Sequence, residues 1–276
     1  MTAPDISQVP VFILCGGLGT RLKEETEVKP KPMVLIGNYP ILWHIMKTYS
    51  YFGFKRFILC VGFKSEVIKD YFLNYRAMHS DFTLDLSNDD LKVHSVDHSE
   101  DWQVTLAFTG DLTMTGARLA IAAEKYLGDA PHFAVTYGDG LTDANLRDEF
   151  AFHLAQNKIG TLLGVNPLSR FGEVKLDGAS VIAFEEKPDL KETWVNGGYF
   201  FFKRDFASYL SKHPSCVLEK QPLVELAKDG QLEMYRHQGF WACMDTQRDK
   251  EALNDLWNRG QAPWRQSLDA PYPCPI

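Results

Sequence analysis

Three glycines within four positions, Gly16, Gly17 and Gly19, interrupt an apolar stretch, and Arg21, Lys23, Lys29 and Lys31 follow closely. Glycine lets backbone N–H groups approach a ligand, and successive N–H groups in such a turn form a concavity suited to anions. Four cations beside that turn, in a chain whose net charge is −7, predict a phosphate site. The residues exclude two common versions of it. A P-loop closes on Gly-Lys-Ser/Thr, whereas this turn closes on Gly19-Thr20-Arg21, and a dinucleotide fingerprint needs a third glycine where Leu22 stands. That missing glycine argues against a nicotinamide-dependent dehydrogenase. Farther along, Asp139 sits between Gly138 and Gly140 at the end of an apolar run. A carboxylate with such small neighbours has room for a metal and a triphosphate, and Mg2+ takes one or two carboxylates plus phosphate oxygens and water. By itself an aspartate there also suits a tight turn.

These residues need elements to carry them. Val9 to Leu14 reads as a buried strand running into the glycines, Phe57 to Val61 as a second, His132 to Tyr137 as a third ending at Asp139, and Thr161 to Val165 as a fourth. Pro40 opens a helix over Ile41 to Tyr49 that ends near Gly53, and Ser65 to Leu73 has apolar residues at helical spacing. Strand and helix in alternation predict a parallel sheet with helices on both faces, whose ligands lie beyond the carboxyl ends of the strands. Alternation in 81–86, 91–96 and 102–108 predicts short strands in a β insertion at about 80–110. A helix follows from Met114 to about Tyr126 with Thr115 as an N-cap, and another over Thr142 to about Asn157. Residues 170–188 form a hairpin signal, and Tyr199 to Lys203, with its run of four aromatics, is most simply a core strand.

At 276 residues, 45% hydrophobic and 24% charged, the chain can bury a sizeable core. The acidic balance excludes a polyanion-binding surface, because nucleic-acid binding rests on neutralising many phosphates with Lys and Arg. A single nucleotide is the more natural ligand. No apolar run approaches the roughly 20 residues that span a bilayer, and the N-terminus lacks a basic region followed by an apolar one, so no membrane is expected and the location expected is the cytoplasm. Cys15, Cys60, Cys216, Cys243 and Cys274 are odd in number and show no C-x-x-C spacing, which predicts reduced thiols, mostly in the core.

Gly16 to Leu22 together with Lys29 to Pro32 resembles, residue for residue, the GG-x-G-T-R-L and K-P-K-P signature of the sugar-1-phosphate nucleotidylyltransferases. The resemblance runs over about residues 9 to 265. It implies an α/β fold, with a Rossmann-like, mostly parallel sheet flanked by helices, a small β insertion and a C-terminal sugar-binding β portion. One domain is expected, with a nucleotide-binding part at 9–140, a sugar-phosphate part at 141–260 and an irregular, Pro-rich tail at 261–276. Cys15 departs from the alanine usual before the paired glycines, and Asn38-Tyr39 from the usual Gly-Lys.

What the resemblance implies for the site can be given by residue. The nucleotide would lie on Leu14, Gly16, Gly17, Leu18, Gly19 and Thr20, with Gly138 nearby. Thr109-Gly-Asp and Met114-Thr-Gly-Ala-Arg-Leu119 resemble the cytidylyltransferase branch, in which the threonine and arginine touch the pyrimidine of CTP; here those are Thr115 and Arg118. Without the resemblance they are a helix cap and a surface arginine. Trp241 to Thr246 resembles the pattern that supplies a second metal carboxylate, making Asp245 the partner of Asp139 for Mg2+; read alone, Asp245 is a helix N-cap, and Thr246 would cap the final helix. Glu186 and Lys187 resemble a Glu-Lys pair that grips a sugar hydroxyl and the sugar phosphate, and Gly172 and Asn196 would lie against the hexose, while Arg170 is open between lid and interface. The implied substrates are CTP and glucose 1-phosphate, in a homo-oligomer. With no protein nucleophile signalled, the sugar phosphate would attack the α-phosphorus in line while Lys31 neutralises the α-phosphate and Arg21 the departing pyrophosphate. The alternatives are a transferase for another base or sugar, such as a thymidylyltransferase, and a non-catalytic nucleotide-sugar sensor.

Overall fold

A computed structural model of the chain describes residues 4–17, 19, 22–94, 100–166, 173–185 and 193–265. The first part contains β1 (Pro10–Leu14), α1 (Lys23–Thr26), β2 (Leu35–Ile36), β3 (Tyr39–Pro40), α2 (Ile41–Tyr51), β4 (Arg56–Val61), α3 (Ser65–Leu73) and α4 (Tyr75–Met78). Then come β5 (Phe82–Asp85), β6 (Asp90–Val93), β7 (Gln103–Phe108), α5 (Thr115–Tyr126), β8 (His132–Tyr137), β9 (Gly140–Thr142), α6 (Leu146–Gln156) and β10 (Gly160–Val165). The last are β11 (Glu173–Asp177), β12 (Ser180–Glu185), β13 (Val195–Lys203), α7 (Gln221–Lys228), β14 (Leu232–His237), β15 (Trp241–Cys243) and α8 (Gln247–Asn258).

Seven strands make the central sheet in the order β14-β10-β13-β8-β1-β4-β7. Only β13 runs against its neighbours β8 and β10; the other pairings are parallel. Apolar side chains fall on both faces, which is why the strands read as continuous hydrophobic runs rather than alternating ones. Val11, Ile13, Leu59 and Phe201 join one core layer with Ile41, Ile45, Phe150 and Leu253. Phe12, Leu14, Ile58 and Phe200 join the other with Leu119, Ala122 and Leu226. From β1 the chain crosses to β4 on one side, while β8 pairs on the other, so the crevice of a doubly wound sheet opens beyond Leu14 and Tyr137.

Four expectations are corrected. Gln103–Phe108 is no part of an insertion: it is the edge strand of the main sheet, parallel to β4. An edge strand is solvated on one side, so its alternation looks like that of a free hairpin. Only β5 and β6 form the small insertion, an exposed antiparallel pair. The helix expected from Thr142 begins at Leu146, capped by Asn145, because Gly140–Thr142 is drawn into pairing with β15. Thr115 is the first residue of α5 rather than its cap; Met114 holds that place, and the Thr115 hydroxyl donates to Glu219 Oε2 at 2.8 Å. Cys15 and Cys60 are buried and Cys216 and Cys243 half-buried, so the thiols are less uniformly core than expected.

Candidate active site

The two acids meet through a short ribbon. β9 begins at Gly140, directly after Asp139, and pairs antiparallel with β15, which ends two residues before Asp245. Met244 N–H donates to the Asp139 carbonyl at 2.9 Å, closing that end of the ribbon. Residues 106 positions apart in sequence, 245 minus 139, thus come together, with carboxylate oxygens of both and Cys243 Sγ all within 4.8 Å of one another. Asp245 is aimed from the other side by a capping box on α8: the Asp249 carboxylate accepts from the Asp245 and Thr246 amides at 3.1 and 2.8 Å. The Thr-x-x-Asp spacing of Thr246 and Asp249 is the sequence signal for this capping box.

Lys31 arrives from the opposite edge. Pro30 and Pro32 fix φ on either side of it, and a short 3-10 turn over Lys31–Met33 presents its side chain. The ammonium lies 2.6 Å from Asp139 Oδ2 and 2.7 Å from Asp245 Oδ1. Burial works to lower its pKa, yet the charge and hydrogen bonds of the two acids more than offset that and hold it above the ordinary lysine value. Without a cation there, two carboxylates at this separation would repel by at least about 3 kcal/mol at an effective dielectric near 20. Lys29 does not join the group; it pairs with Glu25 at 3.1 Å.

Arg118 occupies the back of the glycine turn. It is 3% exposed, and its N–H groups donate to the carbonyls of Gly16 at 2.6 Å, Gly110 at 2.6 Å and Asp111 at 3.0 Å and to Thr109 Oγ1 at 2.9 Å. A Cβ on Gly16 would stand 2.1 Å from the guanidinium, which accounts for glycine there. Gly138 is likewise required by close approach, since a Cβ would meet Pro32 at 2.8 Å and the Leu14 carbonyl at 3.0 Å. Of the two residues expected at the base, Arg118 is therefore tied into the strand ends, and Thr115 faces Glu219.

A cleft of about 210 Å3 opens beside the acids, lined among others by Tyr137, Asn196, Tyr199 and Trp241. Asn196 accepts from Gly198 N–H at 2.8 Å, Tyr199 donates to the Gly140 carbonyl at 2.8 Å, and Trp241 Nε1 donates to the Gly197 carbonyl at 2.7 Å. Tyr137 donates to Glu219, which thereby joins the cleft to Thr115. Neither Tyr137 nor Glu219 was singled out in the sequence: one reads as the end of a strand, the other as an ordinary polar residue before a helix. Near Tyr49 and Tyr199 lies Glu149, fully buried, with neither carboxyl oxygen hydrogen-bonded; burial pushes its pKa up to about 8. Leu18, Thr20, Arg21, Gly172, Glu186 and Lys187 lie outside the described residues.

The chain has relatives among known proteins. A family described as nucleotidyl transferase matches residues 11–246, a span that holds the glycine turn, Lys31 and both acids. The chain is 46% identical over 253 residues to a glucose-1-phosphate cytidylyltransferase of Salmonella typhi, covering 92% of this chain and 97% of that one. The same identity and coverage hold for the glucose-1-phosphate cytidylyltransferase of Salmonella typhimurium. Among solved structures, a UDP-glucose pyrophosphorylase complexed with UDP-glucose superposes with a TM-score of 0.64 at 14% identity, over 91% of this chain and 99% of that one, a likeness of fold. On the strength of the matched span and of the full-length identity to those two enzymes, the chain belongs to the nucleotidyl transferase family and, within it, to the glucose-1-phosphate cytidylyltransferases.

Proposed function

We propose that the protein transfers the cytidylyl group of CTP to α-D-glucose 1-phosphate, releasing pyrophosphate and CDP-glucose. The observation that carries this reading is the convergence of Lys31, Asp139 and Asp245 beside the cleft. The phosphomonoester is mostly dianionic at neutral pH, with a second pKa of about 6, so it attacks without a protein nucleophile. A sugar phosphate oxygen forms the new bond to the α-phosphorus, the bond from that phosphorus to the bridging oxygen breaks, and its electrons leave on pyrophosphate. The chain's task is to hold two polyanions in line and to offset their charge. Lys31 is the residue for the α-phosphate, Arg21 for the departing pyrophosphate, and Gly16, Gly17 and Gly19 with their N–H groups for the triphosphate. Lys187, Glu186, Gly172 and Asn196 receive the sugar phosphate.

Two carboxylates within 4.8 Å suit an oxygen-seeking divalent ion such as Mg2+, and Asp139 and Asp245 would hold it. Bound there, it supplies positive charge shared between protein and substrate phosphates. Arg118, by tying Gly16 to the ends of β4 and β7, keeps the glycine turn in shape for the base and triphosphate, and Thr115 faces the same region. We also assign the protein to a homo-oligomer in the cytoplasm. The β5–β6 pair exposes Phe82, Leu84 and Leu91, a face suited to a second copy, and among the described residues no helix is long and apolar enough to cross a membrane.

The test is pyrophosphate release with CTP, UTP, dTTP, ATP and GTP against several sugar 1-phosphates. CTP with glucose 1-phosphate should be turned over fastest. Preference for dTTP would make the protein a thymidylyltransferase, and calorimetric binding without pyrophosphate would make it a sensor.

A further inference from the structure

One ammonium satisfies both acids that the function reserves for a divalent ion. Lys31 bridges Asp139 and Asp245 at 2.6 and 2.7 Å, and the three side chains are only 13%, 22% and 16% exposed. In the loaded enzyme the same ammonium has to reach the α-phosphate. It cannot serve both places, because a doubly charged ion between the acids would sit against it.

The surroundings favour exchange. The backbone of Lys31 is fixed by two prolines and the 3-10 turn, while its four methylenes are free to rotate, so the head group can move several ångströms without moving the loop. Its partners are two half-buried carboxylates at the rim of an open cleft, and nothing else among the described hydrogen bonds holds the head group. Charge also favours a coupled exchange. The two acids and Lys31 together carry −1, so adding a divalent ion alone leaves +1 with the ammonium displaced into solvent. Adding the ion with a triphosphate gives the ammonium an anion to move to.

We infer that Lys31 is an exchangeable counter-ion that keeps divalent metal off Asp139 and Asp245 until a nucleotide triphosphate arrives, so that metal and nucleotide enter as one complex. This rests on the metal-assisted reading of the site and adds to it an order of binding and a second task for Lys31.

The probe is Mn2+, followed by the electron paramagnetic resonance signal of the free ion, with nucleotide-free protein. Wild type should bind Mn2+ weakly. Lys31→Met should bind it at least tenfold more tightly, Lys31→Arg should resemble wild type, and adding Asp245→Asn to Lys31→Met should abolish the gain. A non-hydrolysable CTP analogue should narrow the difference between wild type and Lys31→Met, because the triphosphate relieves the competition. Circular dichroism on each variant establishes that it is folded, and Lys31→Gln serves if Lys31→Met is not. Equal Mn2+ affinity of wild type and Lys31→Met without nucleotide overturns the inference. The underlying function fails on a different result: full pyrophosphate release by Asp139→Asn and Asp245→Asn. Inactive acid variants together with equal Mn2+ affinities would remove only the counter-ion role.

Discussion

Two cations flank the carboxyl ends of the parallel strands, and they are held in opposite ways. Behind the glycine turn, Arg118 is caged by neutral carbonyls and a hydroxyl from separate chain segments. In front, Lys31 is held by two carboxylates and little else. Neutral dipoles fixed in backbone can solvate a planar guanidinium but cannot be handed to a ligand, since each belongs to the end of a strand or to a turn. Charged side chains at the edge of a cleft can change partner. The first arrangement therefore builds the site, and the second operates it.

The largest effect should come from breaking the rear cage. Arg118→Met leaves the buried Gly16 carbonyl and the part-buried carbonyls of Gly110 and Asp111 without this donor, and empties a packed site, at a cost on the order of 3–5 kcal/mol. Thermal unfolding followed by circular dichroism should show a midpoint lower by about 10 °C, using roughly 2–4 °C per kcal/mol for a chain of this size. A midpoint within 2 °C of wild type, by the same rough scale, would dissolve the distinction between the two cations.

Lys31→Met should do the converse. Turnover should fall on the order of 10²–10³-fold, the effect of losing one electrostatic donor to a transition state. Without metal the unfolding midpoint should fall by several degrees, because the two acids are left to repel each other, and unlike the loss in Arg118→Met it should be recovered on adding Mg2+. Stopped-time pyrophosphate assays paired with melting curves check both halves.

Glu149 sharpens the comparison from the side of a buried acid with no counter-ion. Its folded pKa of about 8 lies above the unfolded carboxyl value, so the native state holds a proton that the unfolded chain releases. The stability this provides is complete below the unfolded pKa, near 4.5, and is lost as pH rises through about 8. Glu149→Gln cannot ionise. Measured by urea unfolding, its stability relative to wild type should rise between pH 5 and pH 9 by about 1–3 kcal/mol. A flat difference would mean that Glu149 is hydrated or paired in solution. His44 and His153 bias the other way. Burial lowers them to about 4 and about 3, so their contribution is lost as pH falls below about 6.5.

Much of this was legible in the chain because local chemistry carries it. β1 and the glycine turn follow from an apolar run meeting residues without Cβ, α3 matched its expected bounds, and Thr246 capped α8 as its position suggested. Pairing was harder to read. Nothing near Gly140 announces that Gly140–Thr142 will pair with Trp241–Cys243 and move the helix start from Thr142 to Leu146, and β7 looked like an insertion because solvation of an edge alternates as a hairpin does. Side-chain direction was the least legible. Thr115 and Arg118 stand three apart on one helix, yet the first turns to Glu219 and the second into the strand ends, a choice made by tertiary packing.

The β9–β15 ribbon has a consequence for synthesis of the enzyme. A nascent chain emerging from the ribosome completes the glycine turn, Lys31 and Asp139 long before residue 245, and α8, docked by the Gly37 amide on Asn254 at 2.9 Å, comes later still. A chain stopped or clipped before residue 245 thus carries the glycine turn and Lys31 with only one of the two acids, so the ion-paired cluster is completed only near the end of synthesis.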